Sequence, residues 1–190
     1  MTDLPQNKMP EAEVSLRLAF GLFERDLVVS TVEVAIDGAQ IRTGTTVHFP
    51  IESFMRDMGW SLVKQDKEWR GMYRHKDYSY DLLVHSSPGR GDVVADLKNG
   101  RTLRAESKKG SLVRSKSSQE YTLVREALGQ LLTVKEASSS DVLAVAVPSS
   151  EKFESLAAQW RPRPLMIRAG VHIATVNRLN QIKGLEDVGI

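Results

Sequence analysis

Apolar residues return along this chain in two rhythms, one helical and one strand-like, and their alternation outlines an α/β protein. In residues 11–25, EAEVSLRLAFGLFER, Val14, Leu16, Leu18, Leu22 and Phe23 recur at helical spacing, with Gly21 weakening the end. DLVVSTVEVAIDGAQIRTGTTVHF reads as β-structure, with Asp37-Gly38 as the hairpin turn between a Val-rich and an Ile/Thr-rich run. Pro50 opens a short helix, PIESFMRDMGW, that Gly59 stops. SLVKQDKEWRGMYRHK and YSYDLLVH read as strands, and the loop 86–91 closes the second. GDVVADL and RTLRAESKKG come next, joined by Lys98-Asn99-Gly100. Beyond the Gly/Ser-rich basic loop 110–118, SSQEYTLVREALGQLLTVKEA is a helix. Ser117 and Glu120 form its capping box, and Tyr121, Val124, Leu128, Leu131 and Leu132 keep helical spacing. DVLAVAVP is almost wholly apolar, as a strand buried on both faces should be. EKFESLAAQW is a further helix, RPRP a break and VHIATVNRL a last strand. This order predicts an α/β core with a mixed sheet flanked by helices over 50–190. Residues 1–49 are expected to add a tail, a helix and a β-hairpin extension.

Composition narrows the class. With 190 residues and 41% hydrophobic content, the chain can bury one core. It contains no cysteine, which excludes disulfides, thiolate metal sites and cysteine nucleophiles. No apolar run approaches the ~18 residues of a membrane span. The polar N-terminus, MTDLPQNKMPEAE, does not read as a signal peptide, so a cytoplasmic location is expected. Net charge is only +2, but between Lys98 and Lys116 seven cations stand against one acid, a local +6 that leaves −4 for the rest. A basic field on a near-neutral chain suits a polyanionic partner. A solvated lysine-rich surface would give the same composition.

Asp92, Glu106 and Lys108 stand out as chemistry. Phosphodiester hydrolysis needs a cation to polarise the phosphate and activate water, and Mg²⁺ takes one or two carboxylates among its oxygen ligands. The strand register decides whether these residues can meet. A two-residue turn at Asn99-Gly100 would mix Val93, Ala95 and Leu97 with Thr102, Arg104 and Glu106 on one face. A three-residue loop, Lys98 to Gly100 with Gly100 left-handed, gathers Val93, Ala95, Leu97, Leu103 and Ala105 on one face. Asp92, Val94, Asp96, Thr102, Arg104, Glu106 and Lys108 then share the other. A one-residue slip flips every side chain, so burial selects the second register. Asp92 then opposes Glu106, with Cβ atoms about 5 Å apart.

Gly91-Asp92-Val93-Val94 and Glu106-Ser107-Lys108, whose acids lie 14 residues apart and which precede a helix, resemble the core of the PD-(D/E)XK, or restriction-endonuclease-like, nucleases. The resemblance covers roughly residues 50 to 178. Gly91 stands where proline often precedes the acid, and Val134 where one subgroup carries tyrosine. The resemblance implies a restriction-endonuclease-like fold and a Mg²⁺-dependent endonuclease, with Mn²⁺ able to substitute. Asp92 and Glu106 would be the metal ligands and Lys108 the third catalytic group. Many members add a glutamate from the preceding helix: Glu52 is the best match here, and Glu11 and Glu13 are the other choices. Glu52 reads equally well as a helix N-terminal acid favoured by the macrodipole.

Arg104, Lys109, Arg114 and Lys116 are the expected nucleic-acid contacts, and Gln130 in ALGQLL the site-lining residue. Asp96 reads as a strand-surface residue, and Asp81 as an acid on a separate strand. His48, His75, His85 and His172 lack zinc-ligand spacing, and no phosphate-binding P-loop pattern is present. The expected partner is nucleic acid, with DNA favoured on family grounds, and a homodimer is expected for a member this small. The rival readings are a non-catalytic nucleic-acid-binding module and a partner protein on the same fold.

Overall fold

The computed structural model describes residues 2–113 and 119–190. The chain opens with β1 (Lys8–Met9), α1 (Glu11–Glu24), β2 (Val32–Ala35), α2 (Gly38–Ile41), β3 (Arg42–Thr43), β4 (Thr46–Val47) and α3 (Ile51–Asp57). It continues through β5 (Trp60–Lys67), β6 (Arg70–His75), β7 (Leu82–His85), β8 (Val93–Asp96), β9 (Thr102–Ser107) and β10 (Gly110–Ser111). Then come α4 (Gln119–Leu131), β11 (Asp141–Pro148), α5 (Glu151–Trp160), α6 (Pro164–Ala169), β12 (Val171–Val176) and β13 (Ile182–Lys183). Nine strands form one mixed sheet in the order β13-β12-β11-β9-β8-β2-β7-β6-β5. The chain is therefore an α/β protein with a nine-strand mixed sheet, six helices and an N-terminal helix, as far as the described residues go.

The hairpin register obeys the alternation of apolar residues. Val93 pairs with Ala105, Val94 with Arg104, Ala95 with Leu103 and Asp96 with Thr102. Gly100 sits at φ +79°, the left-handed position that closes a three-residue loop without a Cβ clash. The apolar face, Val93, Ala95, Leu97, Leu103 and Ala105, is buried throughout. The polar face is not a solvent face, however: Arg104 and Lys108 are buried too.

The expected hairpin turn at Asp37-Gly38 is corrected, and the hairpin within residues 1–49 is the smaller β3–β4 pair, with Arg42 opposite Val47 and Thr43 opposite Thr46. β2 lies inside the large sheet, parallel to β7 and antiparallel to β8. Asp37-Gly38 starts α2 instead of turning a hairpin, with the Asp37 carboxylate accepting the Ala39 N–H at 3.0 Å. An Asp-Gly step serves a helix N-cap as well as a tight turn, and the placement of β2 between two distant strands decides between them. α1 is no appendage either. All its residues from Ala12 to Phe23 are buried, and it packs on β2, β8, β9, β11 and β12. One cluster of buried side chains runs from Met9 to Ile190, across the expected boundary at residue 49.

Smaller differences have local causes. SLVKQDKEWRGMYRHK is two strands, β5 and β6, joined by a turn in which Glu68 adopts φ +53° without any Gly or Pro to announce it. α4 stops at Leu131 and leaves Leu132 84% exposed, and RPRP leads into the short helix α6. The capping box falls partly outside the described residues, because Ser117 lies there. No described helix is long and apolar enough to cross a membrane.

Candidate active site

The site is assembled where three segments distant in sequence converge: the β8–β9 hairpin, the first turn of α1 and the inner face of α4. β8 and β9 are interior strands of the sheet, so their polar ends are held by pairing on both sides. The Val93–Ala105 pair is the last of the ladder, one step short of Asp92 and Glu106. There the Asp92 Oδ2 accepts the Ser107 N–H at 2.8 Å, while the Asp92 N–H bonds the Ala105 carbonyl at 2.8 Å. The carboxylate is thereby fixed beside the E-x-K segment. Gly91 makes this entry possible at φ +107°, a conformation closed to proline, whose ring holds φ near −65°.

The third acid is Glu11. Met9 pairs with Gly110 and Lys8 with Ser111, and continuing this antiparallel register sets Glu11 opposite Lys108. The Lys108 Nζ lies 3.6 Å from Glu11 Oε1 and 3.2 Å from Glu126 Oε1 on α4. Glu11 Oε1 also accepts the Gln40 side-chain amide at 3.0 Å. Glu11, Asp92, Lys108, Lys109, Glu126 and Gln130 all line one open cleft of about 1610 Å³, while Glu106, half-buried next to them, does not line it.

Burial and neighbouring acids raise both hairpin acids. Desolvation pushes Asp92 up to about 6: Glu11 adds to the rise, and the Ser107 hydrogen bond and Lys108 oppose it. Desolvation, then the Asp92 charge, pushes Glu106 up to about 7 against the pull of Lys108. Burial works against the Lys108 ammonium, but Glu11, Glu126 and Asp92 outweigh it and raise its pKa. The donor set therefore consists of carboxylate oxygens carrying more negative charge than one lysine balances. That set fits a hard divalent cation. Among the described residues no group of three or more His, Asp or Glu side chains has already converged for metal binding. Mg²⁺ commonly uses only one or two carboxylates, the number that Asp92 and Glu106 would supply.

Other expected site residues lie elsewhere. Glu52 is exposed on α3, along a second cleft with Trp69 and Arg70, because Ile51, Phe54 and Met55 turn the other side of that helix into the core. Its charge adds to the burial that pushes the Tyr73 hydroxyl up to about 12. Glu13 is fully buried and ion-paired to Arg17 at 2.8 Å and Arg178 at 3.0 Å. Arg104 is no free contact for nucleic acid: its Nε donates to Asp141 at 2.7 Å, both side chains being almost wholly buried. Lys109 is exposed on the cleft wall, beyond the end of β9 at Ser107. Arg114 and Lys116 lie outside the described residues. Asp81 is held in a two-pronged pair by Arg74, both bonds 2.8 Å, and Asp96 accepts from Thr102 and Ser30 at the strand surface. Glu11 carried no stronger signal in the sequence than Glu13 or Glu52, and the two-residue β1–β10 ladder that selects it has no sequence signature.

The raised carboxyls make a pH prediction. A carboxyl whose folded-state pKa exceeds its unfolded value holds its proton more tightly when folded. Its stabilisation is complete below the ordinary values of 3.8 and 4.5, and is lost as pH rises through about 6 for Asp92 and about 7 for Glu106. Metal-free protein should therefore lose melting temperature across this window relative to Asp92→Asn/Glu106→Gln, which lacks both titrations. Mn²⁺ should raise the wild-type melting temperature above roughly pH 7 and have little effect near pH 5, where protons compete. Parallel pH profiles for the two proteins would count against the paired site. Compared with protein-family models, curated proteins and solved structures, the chain gives no match.

Proposed function

We propose that this protein is a Mg²⁺-dependent nuclease of the PD-(D/E)XK type, acting on DNA, with Mn²⁺ as a substitute. The observation that carries the reading is the hairpin: the register expected from burial alone brings Asp92 beside the Glu106-x-Lys108 segment, and Asp92 and Lys108 reach an open cleft. Asp92 and Glu106 would hold the cation, with Glu11 the nearest further carboxylate. Such a cation supplies charge to polarise the phosphate and lowers the pKa of water. Lys108, kept protonated by its acidic neighbours, donates hydrogen bonds and is suited to orienting water or a phosphate oxygen. Asp92 is fixed by the Ser107 N–H, so its carboxylate needs little reorganisation. The cleft exceeds the ~300–1,000 Å³ of a small-molecule pocket, which favours a polymer. Lys109 on its wall, with the expected contacts Arg114 and Lys116, would meet phosphates.

A non-catalytic binding module is the weaker reading, since acids facing the cleft repel phosphate and would serve only a cation-dependent reaction. Plasmid nicking tests this directly. The wild type should relax supercoiled DNA with Mg²⁺ or Mn²⁺ but not with EDTA, and Asp92→Ala should abolish the activity. Binding without cleavage in every divalent metal would support the module instead.

A further inference from the structure

Lys108 has two carboxylates within ion-pair distance, and one of them, Glu11, also adds its negative charge to the field at Asp92 and Glu106. The other, Glu126, comes from α4, which packs against β9 and β11. Val124, Ala127 and Leu131 anchor α4 on the core, and this turns Thr122, Glu126 and Gln130 toward the cleft at successive four-residue steps. Glu126 Oε1 stands 3.2 Å from a lysine whose side chain is only 5% exposed. Glu126 itself is 54% exposed. An isolated surface pair of that kind contributes little. Here, however, the pair joins α4 to the end of β9, and one partner is a buried ammonium that the proposed chemistry requires.

We propose that Glu126 is the positioning residue of Lys108. The assignment rests on the nuclease reading above. When a divalent cation draws on the hairpin acids and on Glu11, Glu126 is the ion-pair partner that still serves Lys108 alone. It holds the ammonium toward α4, so the lysine does not fold back onto the metal ligands. The same carboxylate lines the path of the DNA and repels its phosphates. Removing the charge should therefore slow the chemical step and tighten DNA binding at once. A residue that only stabilised α4 would not couple those two effects in opposite senses.

Four proteins test this: wild type, Glu126→Gln, Lys108→Met and the double variant, compared by single-turnover cleavage over a range of DNA concentrations with Mg²⁺. Glu126→Gln should lower the limiting rate about tenfold, the lower end of what losing an orienting partner costs at metal sites. It should also reduce the half-saturating DNA concentration. In the Lys108→Met background it should leave the residual rate unchanged, because a residue acting through lysine has nothing left to act on. An equal fractional loss in both backgrounds, weaker DNA binding, or no effect on the wild-type rate would overturn the assignment. If the wild type cleaves, such a result removes only the role of Glu126. If the wild type cleaves with no divalent cation, the nuclease reading itself fails and this role goes with it.

Discussion

Lys108→Ala should lower the single-turnover cleavage rate by about 10²- to 10³-fold, the usual loss when one electrostatic group is taken from a preorganised site. Its ammonium is buried and stands between Glu11 and Glu126, whose charges outweigh the desolvation that works against its charged form. A lysine held protonated cannot abstract a proton, so its contribution must come from hydrogen bonding and charge. Removing it also leaves four acids, Glu11, Asp92, Glu106 and Glu126, without the ammonium they share, so metal-free Lys108→Ala should melt lower than the wild type and recover part of the difference in Mn²⁺. Rates are therefore to be compared at saturating metal, with folding checked by circular dichroism. Lys109→Ala is the comparison: its side chain is exposed on the cleft wall, beyond the last residue of β9. It should weaken DNA binding and flatten the log–log salt dependence by about one unit, with the limiting rate little changed. A larger rate loss in Lys109→Ala than in Lys108→Ala would mean that the hairpin is misassigned.

Glu13→Ala should destabilise the fold by about 3–5 kcal/mol, the cost of leaving buried partner charges unpaired. That is a large share of the ~5–15 kcal/mol by which a typical domain is stable. Glu13 is 0% exposed and accepts from both Arg17 and Arg178. Arg178 in turn bonds the Pro5 carbonyl at 2.8 Å, and Arg17 bonds the Arg178 carbonyl at 2.6 Å. One carboxylate thus ties α1 to the segment after β12 and to the chain just before β1. Losing it should shift the urea midpoint with an unchanged slope, since the compactness of the two states is not altered. Glu11→Gln, two residues away, should do the reverse and cost cleavage far more than stability. A mild effect of Glu13→Ala on the urea midpoint would show that the network contributes little.

The contrast between Glu11 and Glu13 shows how far local reasoning reaches. Both are acids in the first turn of one helix, and the sequence ranked both behind Glu52 as the third acid. The choice is made by the Met9–Gly110 and Lys8–Ser111 pairs, which join segments about a hundred residues apart. Arg104 illustrates the same limit from the other side. Its place on the polar face of β9 was legible, but the parallel pairing of β9 with β11 brings Asp141 to it and turns an expected DNA contact into a buried ion pair.

By itself the sequence determined the features that short-range periodicity governs. Alternation at period two, with one side buried, allows a single register for the β8–β9 hairpin, and Gly100 is the residue that its loop requires. Helical spacing placed α1, α4 and α5, and an unbroken apolar run placed β11. The tertiary structure alone decided which of these elements became neighbours. β2 entered the centre of the sheet because β7 and β8 offered edges to it, and Asp37-Gly38 capped a helix once that strand was fixed. The physical reason is that alternation specifies which face of a segment is buried, whereas the partner depends on pairing between distant strands, and two-residue strands such as β1 and β10 carry no pattern from which to read it.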